Sequence, residues 1–213
     1  MKIKLNKIIR ILILSDMALL SGFGFMAPIF AVFLTSRIQG GNVKVAGYAA
    51  AIYWIVYSLV VIPVSKYLDR NHGEKDDLLS IIIGDLLAAF VVFAYLFSYL
   101  PWHIYVLQII YAIGMAMNAP GYNAIFTRHI NKGKEAFSWS VRSSLIGLGA
   151  GVTGALGGII ADRFGFNVLF IAVGTFVILS ALLPLAILKE VNSKNKEVSR
   201  MLAGKTPQTS PKE

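Results

Sequence analysis

Three ionisable side chains, Asp16, Asp85 and Arg142, stand inside long apolar runs. A charged group at the middle of a membrane helix costs about 2.5–3.5 kcal/mol or more unless it is paired or wet. At a rise of 1.5 Å per residue, Asp16 and Asp85 lie about 12 and 10 Å along their helices and Arg142 about 6 Å, all measured from one face. The long arginine side chain spans the remaining difference. The three are therefore expected to meet in one layer. Two readings stay open. One is a gate or a proton- or ion-coupling cluster with Arg142 as counter-charge. The other is a structural set that fixes helix packing or lies near enough to the interface to be wet.

Enzyme chemistry has no visible constellation. The chain contains no H-E-x-x-H, no G-x-S-x-G and no G-x-x-x-x-G-K-[ST]. His72, His103 and His129 are scattered near the ends of apolar runs, and the absence of cysteine excludes a disulfide framework, thiolate metal sites and a Cys nucleophile. Neither catalysis nor a cofactor or metal is expected.

The elements that position the three charges follow from composition. The 213 residues are 56% hydrophobic and 15% charged, with a mean hydropathy of +0.68. Soluble domains carry roughly a quarter charged residues, and a water-soluble core of this size has no room for so much apolar surface. A bilayer core needs about 20 apolar residues of helix. Six segments meet that need, at about 8–34, 45–65, 78–97, 102–126, 138–161 and 168–188. They form a six-helix transmembrane domain over 1–189. The first run is far longer than a signal-peptide core, so it reads as a retained helix. Pro28, Pro63, Pro120 and Pro184 fall inside the segments, which membrane helices tolerate. Residues 190–213 are polar and rich in Lys, Ser, Thr and Pro, and a disordered tail is expected there.

Six spans divide the 20 lysines and arginines unevenly. The N-terminus, the second-to-third loop, the fourth-to-fifth loop with the start of helix five, and the tail hold all of them except Arg37, Lys44 and Arg163. The positive-inside rule puts that majority, and both termini, in the cytoplasm of a cell whose plasma or inner membrane the chain crosses. The net charge of +9 is thus spent on topology, and no nucleic-acid partner is expected. The bilayer itself is the first partner.

The second-to-third loop reads Ser65-Lys66-Tyr67-Leu68-Asp69-Arg70-Asn71-His72-Gly73-Glu74-Lys75. It resembles the loop signature G-x-L-a-D-[RK]-x-G-[RK]-[RK] of the major facilitator superfamily (MFS). Asp69, Arg70, Gly73 and Lys75 match. Ser65 replaces the first glycine, one residue is inserted before Gly73, and Glu74 replaces a base. Helix five ends in a second copy, with Asp162, Arg163 and Gly165, on the opposite side of the membrane. Opposite sides are what an inverted three-plus-three repeat requires. Gln108-Ile109-Ile110-Tyr111-Ala112-Ile113-Gly114 on helix four is similar to the superfamily pattern R-x-x-Q-G-x-G, which the family links to proton coupling, and Gln108 stands at its arginine. The resemblance implies an all-α membrane protein equal to one six-helix half of a twelve-helix fold. It also implies a secondary transporter of a small solute that works by alternating access.

Gly147, Gly151, Gly154 and Gly158 share one face of helix five, a packing seam for another helix. That helix belongs to the same bundle, to a second copy or to another six-helix half. The family's two halves are parallel, so a parallel homodimer restores the full architecture. The other reading for the whole chain is a membrane scaffold or receptor that does not transport.

Overall fold

The protein was analysed as a computed structural model, which describes residues 6–70 and 73–190. The tail expected to be disordered therefore lies almost wholly outside the described residues, as do Asn71 and His72 of the loop motif. Among the described residues the chain is helical throughout. Helix α1 is Lys7–Met26, α2 Phe30–Arg37, α3 Val43–Arg70, α4 Glu74–Ala94, α5 Pro101–His129 and α6 Glu135–Leu182.

Local sequence accounts for the boundaries. The Asn6 side chain accepts from the Ile8 amide at 3.2 Å and caps α1. The first apolar run, expected as one span over 8–34, is broken: α1 stops at Met26 and α2 restarts at Phe30. Pro28 lies in the break and has no amide hydrogen to continue the helical ladder. The Asn42 carboxamide accepts from Lys44 and Val45 at 2.9 and 3.2 Å and starts α3. Pro101 occupies the first turn of α5, where its missing amide costs nothing.

The expected fifth and sixth spans are one nearly unbroken element. The apolar stretch Glu135–Glu190 has 56 residues, which is about 84 Å of helix and far more than one crossing needs. The chain turns back at Gly165, whose backbone at φ 81° and ψ 171° is the one non-helical point within α6. A glycine adopts that conformation without steric penalty. α6 therefore supplies helices five and six, and the six crossings are α1, α3, α4, α5 and the two limbs of α6.

The contacts repeat with a two-fold pattern. The first helix of the first unit, α1, packs against both limbs of α6. The first helix of the second unit, α5, packs against α3 and α4, and α4 meets α6 at the centre. Two apolar clusters fill the bundle. One, at the basic end, gathers Ile9, Leu12, Leu78, Ile81, Ile125 and Phe126. The other gathers Phe33, Tyr95, Leu169, Phe170 and Val173. Phe33 is its hub, with ring centroids 4.8 Å from Phe170 and 5.4 Å from Phe166.

Lipid supplies no hydrophobic drive between helices, so close backbone approach must supply dispersion contacts. Gly84 and Gly114 face each other across α4 and α5. A Cβ on Gly84 would meet the Gly114 carbonyl oxygen at 2.4 Å, and one on Gly114 would meet the Gly84 oxygen at 2.8 Å. On the other pair, a Cβ on Gly157 would stand 2.1 Å from the Phe25 carbonyl oxygen of α1. By contrast Gly147, Gly151 and Gly158 meet nothing within 4 Å, and Gly154 only the Gly24 oxygen at 3.6 Å. The expected seam is thus an open face, and the neighbouring face, with Gly149 and Gly157, receives α1. Gly114→Val should therefore separate α4 from α5, at a cost of about 1–3 kcal/mol or more. Gly147→Val should leave the six-helix unit as stable as before. Thermal unfolding of the two variants in detergent, followed by circular dichroism, checks the contrast.

Candidate functional site

Between the two apolar clusters lies a thin polar layer, and four elements each contribute one residue to it. Asp85 of α4 is fully buried between Ile82 and Ala88, members of opposite clusters. Asn118 of α5 donates from Nδ2 to Asp85 Oδ1 at 2.6 Å. Ser180, in the second limb of α6, donates its hydroxyl to Asp85 Oδ2. Ser15 of α1 donates to the Ser180 carbonyl oxygen at 2.9 Å. Both oxygens of the carboxyl are thus held by neutral donors, and among the described residues no cation pairs with it. A carboxyl in such a place has two chemical options: to remain a hydrogen-bonded anion, or to take up and release a proton with a change of charge in a low-dielectric layer.

The second set lies nearer the basic end. Arg142, two turns into α6, places Nη2 2.6 Å from Asp16 Oδ2. Its Nε donates to the Tyr122 hydroxyl at 3.2 Å. The guanidinium carbon lies 4.9 Å from the Tyr122 ring centre and 5.4 Å from that of Trp139, so the cation rests against two π faces. α1, α5 and α6 are tied at this point.

The three charges expected in one layer are therefore divided into two sites. Asp16 and Arg142 meet as expected, but Asp85 joins neither. Height brought Asp16 to Arg142, and azimuth separates the two sites. Successive helix positions point about 100° apart, so Ser15 faces the second limb of α6 with Asp85 beyond it, while Asp16 faces the first limb and Arg142. Gln108 is in neither set. It lies about 15 Å from Asn118 along α5, where its Nε2 donates to the Tyr95 hydroxyl at 3.3 Å.

Asp69 and Arg70 are exposed at the end of α3, Gly73 precedes α4 as its N-cap, and Lys75 is exposed in the first turn of α4. Asp162 and Arg163 are exposed at the far end of the bundle, three and two residues before the fold-back glycine.

Sequence reasoning passed over Asp77. Its side chain is fully buried and forms an ion pair with Arg128 of α5, and next to it Glu74 and His129 approach to 3.6 Å. A signal was present: Asp77, Ile81 and Asp85 recur every four residues and so share one buried helix face. Asn118 and Ser180 carried no such signal, because uncharged polar residues are common in membrane helices. Lys7 and Glu190 form a further pair at the same end, so the basic end is laced by charge.

These features define a multi-pass membrane protein built from two inverted three-helix units around buried carboxyls. Residues 14–210 match the Major Facilitator Superfamily, and the chain belongs to that family. No curated protein matches it.

The Asp16–Arg142 pair makes a direct prediction. Arg142→Met strands a buried carboxylate and should destabilise the bundle by about 3–5 kcal/mol. The double variant Asp16→Asn, Arg142→Gln removes both charges and should regain most of that loss. Melting temperatures of the purified single and double variants test the coupling.

Proposed function

We propose that the chain is a secondary transporter, or the subunit of one, that moves a small solute by alternating access as a parallel homodimer. Family members are transporters rather than enzymes, and the observation that carries the reading further is the Asp85 layer. A buried carboxyl with only neutral partners is the group on which a proton changes most: its protonation alters the charge at a point where four helix segments meet. Asp16 has a permanent counter-charge in Arg142, so it holds the bundle together while Asp85 couples.

The dimer reading rests on the open face of helix five. Gly147, Gly151 and Gly158 lie bare, flanked by the exposed side chains of Leu148 and Val152, and α3 presents Trp54, Ile55, Leu59 and Ile62. The excess of Lys and Arg at the N-terminus, in the α3–α4 and α5–α6 loops and in the tail supports a cytoplasmic position for all of them, in a plasma or inner membrane. All copies then share one orientation, which permits only parallel pairing. The alternative, a scaffold or receptor that does not transport, draws support from the complete satisfaction of Asp85 within the bundle, as a purely structural knot requires.

Two measurements separate the readings. Native mass spectrometry from lipid nanodiscs should give a mass near twice 23.2 kDa, and Gly151→Leu should shift it to the monomer. In proteoliposomes with an imposed pH gradient, a panel of labelled sugars, amino acids and aromatic compounds should contain one that accumulates. Asp85→Asn should reduce that accumulation to the level of empty vesicles. A monomer that accumulates nothing moves the scaffold reading to first place.

A further inference from the structure

On the far side of the polar layer from the basic end, α1, the start of α2, α3, α4 and α5 enclose a half-open cavity of about 250 Å³. Its wall is aromatic, with Phe23, Phe30, Tyr53, Trp54, Tyr95 and Tyr111, and no residue that lines it is charged. Tyr53 and Tyr111 lie about 15 Å from the outer ends of α3 and α5, near the middle of the membrane.

The rings are already arranged among themselves. Tyr53 is stacked on Tyr111, centroids 5.0 Å apart at 27°, and on Tyr57 at 6.0 Å and 20°. Phe23 leans on Tyr111 at 4.9 Å, and Trp54 meets Tyr53 edge to face at 5.2 Å. The faces of Tyr53, which would attract a cation, are thus occupied. Tyr53 therefore offers its ring edge, which together with the apolar lining suits the face of another aromatic ring.

One polar pair interrupts the wall. Gln108 Nε2 donates to the Tyr95 hydroxyl oxygen, so the Gln108 carbonyl can accept one more hydrogen bond and the Tyr95 hydroxyl proton can be donated. A single hydroxyl, which both donates and accepts, could satisfy both. A charged ligand would lose its water here and find no counter-ion.

We propose that this cavity binds a neutral, planar aromatic solute that carries one hydrogen-bonding group, with that group held between Gln108 and Tyr95. That the bound compound is also the transported solute rests on the transport reading above. The cavity is small for a ligand site, which limits the solute to about two fused rings.

The test uses the full chain in nanodiscs and three probes: 2-naphthol, naphthalene and 2-naphthoate. Equilibrium dialysis against empty nanodiscs should show saturable binding of 2-naphthol and none of 2-naphthoate. Gln108→Leu should weaken 2-naphthol about tenfold, the loss expected for one buried hydrogen bond, and leave naphthalene unchanged. Trp54→Ala, at an exposed position where folding is not at stake, should weaken both neutral probes. The proposal is overturned if 2-naphthol shows no saturable binding, if 2-naphthoate or an aromatic cation binds more tightly, or if Gln108→Leu binds 2-naphthol as well as the parent. Binding without accumulation in proteoliposomes upholds the cavity and sinks the transport reading. Accumulation of another solute without 2-naphthol binding does the reverse.

Discussion

The carboxyl of Asp85 must find its hydrogen bonds inside the protein, because hydrocarbon offers none. That requirement recruits Asn118 and Ser180 directly and Ser15 through Ser180, and so fixes the mutual rotation of α1, α4, α5 and the second limb of α6. A one-residue rotation of α5 or of the second limb of α6 would replace Asn118 or Ser180 with an apolar neighbour and leave an oxygen of Asp85 unpaired. The apolar clusters above and below tolerate small slides. The polar layer between them does not, and it sets the register to which the rest of the packing conforms.

The two ends of the bundle are closed by different physics. At the basic end, ion pairs join α1 to α6 and α4 to α5, and aromatic rings shield the Arg142 cation. At the opposite end, the rings of Phe33, Tyr95, Phe166 and Phe170 interlock and Arg37 lies 5.8 Å over Phe166. Charge pairs impose direction and distance, whereas ring packing tolerates sliding. Each ion pair lies within one six-helix unit. They therefore stiffen the unit as a body.

Much of this was legible in the chain. Apolar length and the uneven placement of basic residues revealed six crossings, since both follow from the bilayer alone and need no knowledge of neighbours. The break at Pro28 was not foreseen, because a proline within an apolar run is compatible with either a kink or a stop. The pairing of charges was half legible: axial height placed Asp16 beside Arg142 but could not show that Ser15, one residue earlier, faces the other polar site. The glycines of helix five were the same case. Spacing identified a bare face, yet the partner of α1 was the adjacent face, and only the positions of other backbones distinguish the two. Asp77 was missed because it was counted with the loop rather than with the helix face it shares with Asp85.

The turn at Gly165 also bears on how freely the two limbs of α6 can move against each other. Helices five and six leave only a single non-helical residue between them, so neither limb can slide along the other without opening the turn. The two limbs form one hairpin, with Asp162 and Arg163 at its tip. The opposite charges at that tip are neighbours in sequence, so at a distance their fields largely cancel. The most apolar stretch of the chain thus owes its fold-back to the backbone of a single residue.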